Sequence, residues 1–243
     1  MILTRRSLLG LVAGLSLALG SAAQAADAIR VATDATFPPF EYAENGQRTG
    51  FDVELIEAIG KVLNRPIEWT EIDFKGLIPG LIANRFDVVA SAIYITDERR
   101  KVVDFTDSYY PGGLVIMTKT GNQAIKGPDD LAGKKVSVQV GTKSVAFLKD
   151  KFPAIERVEV EKNQEMFELV ENGRADAAVT GKPAAKLYAR TRGTLQLVEP
   201  SLTVEEYAFA LRKDEGDLIT QFNAALKTLK ADGTYDKLVA KYL

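Results

Sequence analysis

The chain has no cysteine and no histidine. Those two absences together exclude thiolate and imidazole metal sites, cysteine nucleophiles and histidine-based triads, so most familiar hydrolytic chemistry has no residues to run on, and neither a metal nor a cofactor is expected. They leave the redox compartment open, because reducing and oxidising surroundings both tolerate a cysteine-free chain. An excess of positive charge is missing too. The 31 Lys and Arg residues face 33 Asp and Glu, for a net charge of −2, and they are scattered rather than gathered into a stripe that could neutralise successive phosphates. Nucleic acid is therefore not an expected partner. What is present is ordinary globular material: 243 residues, 46% hydrophobic and 26% charged, enough for one large core or two modest ones.

The N-terminus speaks to compartment. Arg5 and Arg6 precede an apolar run from Leu8 to Leu19, and Ala23-Gln24-Ala25 offers a small-x-small cleavage site. The run is shorter than the roughly 20 residues that span a bilayer. We expect residues 1–25 to be a signal peptide cleaved near Ala25, and the mature protein to be periplasmic. Thr4-Arg5-Arg6-Ser7-Leu8-Leu9 also looks like a twin-arginine export signal, although the export route stays open.

Beyond the signal, short β-rich apolar runs alternate with amphipathic stretches, as in βαβ units on a mainly parallel sheet, which makes the expected fold class α/β. Ile29 to Thr33 reads as a first strand. In GFDVELIEAIGKVL, Asp52 is placed to cap a helix whose Val53, Ile56, Ile59 and Leu63 follow the helical period, with Asn64 and Pro66 ending it. Leu77 to Ala83 reads as a second helix with Pro79 in its first turn, and Asp87 to Ala90 as a buried strand. GLIANRFDVVASAI and ELVENGRADAAVTGK echo one another, each running helix, Asn, Arg, Asp and a short apolar strand. Two similar halves follow. Ligands of open α/β sheets sit beyond the carboxyl ends of the strands, so Ser91-Ala92-Ile93 and Thr180-Gly181-Lys182 should occupy equivalent edges facing one cleft. Gly112 to Lys119 and Tyr207 to Arg212 suit a pair of crossover strands. That places lobe one at 26–113 plus 210–243 and lobe two at 114–209.

These residues resemble a known family, the bacterial extracellular solute-binding proteins of the polar amino-acid type (family 3). GFDVELIEAIGKVL is similar to the family's signature helix, and VATDATFPPFEY, IDFKGLIPGL, ITDERRKVVDFTDSYY, DLAGKKVSVQVGTKS and LKTLKADGTYDKLVAKY match in order, covering essentially all of the mature chain. The resemblance implies a type II periplasmic-binding-protein fold, two α/β lobes joined by two hinge strands. It also implies closure on one small ligand carrying a carboxylate and docking onto a membrane ABC permease. We expect a monomer.

Arg99 leads the expected site, because a planar guanidinium can grip a carboxylate through two parallel charge-assisted hydrogen bonds, and in the family the matching Arg does so. Taken alone, Arg99 could equally pair with Asp97 or Glu98 on a solvated helix face. Thr142 and Lys143, in Gly141-Thr142-Lys143-Ser144, follow a strand and open a helix whose N–H groups can receive an anion; a plain helix cap fits the same residues. Phe37 and Phe74 resemble the family's pair of rings that sandwich the ligand, and Asp34 resembles an acid that reaches its polar end or its ammonium. Ser91 and the carbonyl of Ala92 complete the lobe-one wall.

Two positions depart from the family pattern. Amino-acid binders have Ser or Thr at the position of Tyr94 and Asp at that of Gly181, and together these hold the ligand's α-ammonium; here neither is present. The resemblance therefore leaves several ligands open: a cation held by Asp34 and the aromatic faces, a carboxylate without an ammonium favoured by Lys143 and Lys182, or a modified amino acid such as an opine. Gly181→Asp is expected to restore affinity for primary-amine amino acids. Two other readings stand beside transport: a cyclohexadienyl dehydratase-like enzyme with Asp34 or Glu41 as its acid, and a sensor input domain acting through a separate membrane partner.

Overall fold

The alternation of apolar strands with amphipathic helices produces two five-stranded sheets built to one plan in the computed structural model, which describes residues 27–243. The expected signal peptide and its cleavage point lie outside the described residues. Lobe one begins with β1 (Ile29–Thr33), followed by a small three-stranded sheet of β2 (Thr36–Phe37), β3 (Glu41–Glu44) and β4 (Gln47–Thr49). It continues through α1 (Phe51–Leu63), β5 (Ile67–Glu71), α2 (Phe74–Ile82), β6 (Val88–Val89), the short α3 (Asp97–Arg100) and β7 (Asp104–Phe105). The chain crosses over at β8 (Tyr110–Pro111). Lobe two holds β9 (Leu114–Lys119), β10 (Lys135–Gln139), α4 (Lys143–Lys151), β11 (Glu156–Val160), α5 (Asn163–Glu171), β12 (Ala177–Gly181), α6 (Lys182–Arg192) and β13 (Leu195–Val198). Return through β14 (Glu206–Tyr207) leads to β15 (Ala210–Leu211), α7 (Gly216–Ala231) and α8 (Thr234–Tyr242), back on lobe one.

The strand orders are β5-β1-β6-β15-β7 and β11-β10-β12-β9-β13. In each sheet the first three strands are parallel, and the fourth runs against its neighbours. β6 and β12 are thus equivalent centres, and β1 and β10 equivalent neighbours, which accounts for the sequence echo. The carboxyl ends of β6 and β12 lead into Ala90–Ile93 and Gly181, the edges that strand topology assigns to ligands.

The crossing itself lies slightly outside the stretches expected for it. β9 and β15 belong to the lobe sheets, and the ribbon between lobes is the antiparallel pair β8–β14, with Tyr110 opposite Tyr207. Gly112 and Gly113 follow β8. A Cβ on Gly112 would lie 2.5 Å from the Tyr94 ring, and one on Gly113, at φ 117°, would lie 2.5 Å from the Thr203 carbonyl oxygen, so backbone and ring approach there as only glycine permits.

α1 shows why local pattern and cap chemistry part company. Its buried stripe, Phe51, Leu55, Ile56 and Ile59, packs toward α7 and α8 as its period requires. Its N-cap is Gly50 at φ 125°, not Asp52: the N–H groups of Phe51 and Asp52 are taken by the carbonyls of Pro39 and Phe40, both at 2.9 Å. The cap is thereby supplied by main chain, which leaves the Asp52 side chain free to turn inward, where it is fully buried. α2 likewise starts earlier than its apolar run suggests, at Phe74, so Pro79 sits inside the helix and not in its first turn. Its ring removes the N–H that would otherwise bond back to Lys75.

Candidate functional site

Between the lobes lies a cavity. Asp34, Phe37, Phe74, Ser91, Ala92, Tyr94 and Arg99 border it from lobe one, and Thr142, Lys143 and Gly181 from lobe two, so the structure brings all ten candidate residues to one space. Glu41, Gln139, Asn163 and Tyr207 join them.

Arg99 is half-buried on α3, whose N-cap Thr96 accepts the Arg99 N–H at 3.2 Å. Its guanidinium donates to the carbonyl of Tyr94 at 2.9 Å and lies 5.8 Å above the Phe74 ring. Across the cleft it reaches the Gly141 carbonyl at 3.5 Å. The pairing with Asp97 or Glu98 is not made, and no carboxylate lies within ion-pair distance among the described residues. Loss of water around the uncompensated cation pulls its pKa down to about 10.

Opposite Arg99, Thr142 caps α4, yet its hydroxyl turns back to donate to the Gln139 carbonyl at 2.7 Å and leaves the first N–H groups of the helix without a side-chain cap. Lys143 borders the cavity while its ammonium lies 3.2 Å from Glu205. Lys182 does not enter the cavity; it pairs with Glu199 at 2.8 Å. Both ammonium groups are thus paired with glutamates, and only Lys143 belongs to the cavity wall.

Asp34 is fully engaged. Thr36 Oγ1 and Lys162 Nζ, at 3.1 and 3.0 Å, bind one oxygen, and the Phe74 N–H and Gln139 Nε2, at 3.2 and 2.8 Å, bind the other. Two of these donors come from lobe two, and Lys162 also holds Asp73 at 2.8 Å, so the acid acts as a clasp between lobes. Asn163 orients the clasp by donating to Gln139 Oε1 at 2.7 Å.

Glu41 contrasts with it. Ser91 Oγ accepts the Asp34 N–H at 3.1 Å and donates to Glu41 Oε1 at 3.0 Å, but Glu41 Oε2 is buried without a partner. Burial, reinforced by the nearby Asp52 and Asp34 carboxylates, pushes Glu41 well above the usual carboxylate range. An unmatched oxygen in a cavity wall is a receiver for a cation or an N–H donor. The strand-end rule that singles out Asp34 after β1 would equally have pointed to Gln139, the last residue of the equivalent β10. Tyr207 gave no such signal, because the contact that places it is with Tyr94, far away in the chain.

Tyr94 and Tyr207 stack with ring centroids 4.4 Å apart. Tyr207 donates to the Tyr94 hydroxyl at 2.8 Å, and Tyr94 donates to the Gly113 carbonyl at 3.0 Å. These hydroxyls bear on the proposed Gly181→Asp exchange: a Cβ on Gly181 would lie 2.3 Å from the Tyr207 oxygen. The expected gain of affinity from that substitution alone is corrected accordingly, since the space is already filled.

Comparison with known proteins agrees with this architecture. The family described as bacterial extracellular solute-binding proteins, family 3, matches residues 29–243. A probable histidine-binding protein of Campylobacter jejuni is 35% identical over 88% of this chain and 84% of its own. The solved structure of an ancestral arginine-binding protein bound to arginine superimposes with a TM-score of 0.84 at 39% identity, covering 89% of this chain and 98% of its own. The ancestral amino acid-binding protein AncCDT-1, a precursor of cyclohexadienyl dehydratase, gives a TM-score of 0.84 at 41% identity, over 88% and 95%. With its two equivalent sheets, its hinge ribbon and a family match over nearly all of the described residues, the chain belongs to the bacterial extracellular solute-binding proteins, family 3.

Proposed function

We propose that this chain is the periplasmic substrate-binding component of an ABC importer, closing its lobes on one amino acid or amino-acid-like carboxylate and presenting it as a monomer to the membrane permease. The observation that carries the reading is Arg99, a half-buried guanidinium that faces the cavity with carbonyl oxygens as its acceptors and no carboxylate of its own. A ligand carboxylate supplies the missing charge through the fork geometry that arginine favours, and the uncapped start of α4 meets it from the other lobe. Glu41 Oε2 receives the ligand's cationic or N–H end, with Phe37 and Phe74 against its apolar part. Relatives named for histidine and arginine take ligands that carry both ends.

Mass spectrometry of the small molecules released from protein purified out of its native periplasm tests this reading, together with a calorimetric panel of amino acids, betaines, opines and organic acids. A carboxylate ligand whose binding Arg99→Ala abolishes is the expected result. Binding confined to neutral molecules overturns it.

One observation favours a second reading. Glu41 is a desolvated carboxyl group in the cavity, the property that a general acid for dehydration needs, and a cyclohexadienyl dehydratase precursor is among the structural neighbours. Incubating the purified protein with prephenate decides it: appearance of phenylpyruvate, lost in Glu41→Gln, makes the chain an enzyme, and unchanged prephenate leaves it a carrier.

A further inference from the structure

Gly181 ends β12 at the lobe-two rim of the cavity, and a side chain there has nowhere to go. A Cβ would meet the Tyr207 hydroxyl at 2.3 Å, the Tyr94 hydroxyl at 3.1 Å and the Phe37 ring at 3.1 Å. Both tyrosines are buried and their hydroxyls are fixed, because Tyr207 donates to Tyr94 while Tyr94 donates to the Gly113 carbonyl and accepts the Gly113 N–H at 3.1 Å. The Tyr94 hydroxyl thereby gives one hydrogen bond and receives two, its full complement, and neither phenol offers a charge to the cavity.

The charges around that wall sharpen the point. None of the residues that lobe two contributes to the cavity is acidic. Of the lobe-one acids, Asp34 already carries four donors and Glu41 keeps one unmatched oxygen. One free carboxylate oxygen serves one cation. A ligand with two cationic nitrogens would bury one of them without a counter-charge, which costs more than its contacts return.

We infer that the Tyr94–Tyr207 hydroxyl pair, by filling the space beside Gly181, selects a carboxylate with no primary ammonium on its α-carbon and with its cationic nitrogen further along, at Glu41. The inference rests on the carboxylate anchor proposed above. A carboxylate on Arg99 sits beside residue 94, whose carbonyl the same guanidinium holds, so its α-carbon comes to lie next to the tyrosine pair. The Tyr94 hydroxyl also binds Gly113 at the crossover, which couples the choice of ligand to the hinge.

Matched titrations test it on the wild-type protein freed of bound ligand: L-arginine against 5-guanidinopentanoate, L-lysine against 6-aminohexanoate, and L-histidine against 3-(imidazol-4-yl)propanoate. Each pair keeps the carboxylate and the distal cation and differs in the α-ammonium. The expected result is that a deaminated member binds, and that each one that binds does so more tightly than its parent. A parent bound as tightly as its partner or more tightly, with Arg99→Ala abolishing its binding, overturns the inference and leaves the anchor standing. Titrations that Arg99→Ala leaves unchanged, or six silent probes, bring down anchor and inference together. In the triple variant Tyr94→Ser, Tyr207→Phe, Gly181→Asp, preference should turn toward the parent by at least tenfold. A triple variant shown by circular dichroism to be folded that keeps the wild-type preference counts against the pair as selector, and the wild-type titrations decide the matter if it does not fold.

Discussion

The carboxylate of Asp52, on the second residue of α1, accepts the main-chain N–H of Ala92 at 2.8 Å, and the Tyr109 hydroxyl donates to the same oxygen at 2.7 Å. Ala92 stands in the left-handed region at φ 42°, a conformation that disfavours an L-residue by roughly 1–2 kcal/mol. The buried acid holds that turn in place. The signature helix therefore shapes the cavity wall without touching the cavity.

Asp52 also gives the fold a pH dependence. Burial raises it from 3.8 to about 7, against the opposing pull of its hydrogen bonds from Ala92 and Tyr109. A carboxyl group raised in the folded state binds its proton more tightly there than in the unfolded chain. Its contribution is fully present below about pH 4 and is lost as pH rises through about 7. Wild type should thus lose stability relative to Asp52→Asn between pH 4 and pH 7, as measured by urea midpoints of both proteins across that window. Parallel curves would remove Asp52 as the cause; the difference between the two proteins includes the part of the Glu41 shift that the Asp52 charge produces.

Arg99→Ala should weaken binding of the native ligand by at least about 2 kcal/mol, some thirtyfold, while leaving the circular dichroism spectrum and thermal midpoint near wild type. Arg99→Lys should recover part of the loss, because an ammonium restores charge without the planar fork. Equal affinities for wild type and Arg99→Ala would refute the anchor.

Lobe closure depends on Gly141. At φ 77° its Cβ position lies 2.9 Å from the Cα of Lys75 on the opposite lobe. Gly141→Ala should lower ligand affinity by about tenfold and abolish the ligand-induced contraction seen by small-angle scattering. Gly121→Ala is the control. Gly121 has a similar φ of 82° with nothing within 4 Å, so its substitution should cost stability alone.

Lys162→Met should speed ligand release several-fold with little change in the association rate. The substitution removes the ties from lobe two to Asp34 and Asp73, contacts that exist with the lobes together. Stopped-flow displacement at low and high salt measures it, and an unchanged release rate would show that Gln139 alone suffices as the clasp.

Much of this was legible in the sequence because it is local. Strand ends and helix starts can be found from periodicity, so Asp34, Ser91, Thr142 and Gly181 could be placed at facing edges before any coordinates. The twofold echo of helix, Asn, Arg, Asp and strand is the trace of two equivalent sheets. What was not legible depends on neighbours distant in the chain. Asp52 has the chemistry of a cap and fails to be one because Pro39 and Phe40 supply carbonyls to α1. Asp34 reads as a ligand-facing acid until Lys162 and Gln139 are seen occupying it. At Gly181 the sequence reveals a missing carboxylate, and packing alone reveals the phenol oxygens that take its room.

The order of strands in the first sheet carries a consequence for how the molecule comes together. β7 has β15 as its neighbour, and β15 lies beyond all of β9 to β14 in the chain. A ribosome releasing this polypeptide from its N-terminus can therefore complete the later-made lobe while the earlier one still lacks an inner strand. Truncation anywhere before Ala210 should leave that earlier sheet with an unpaired edge, however intact its own sequence.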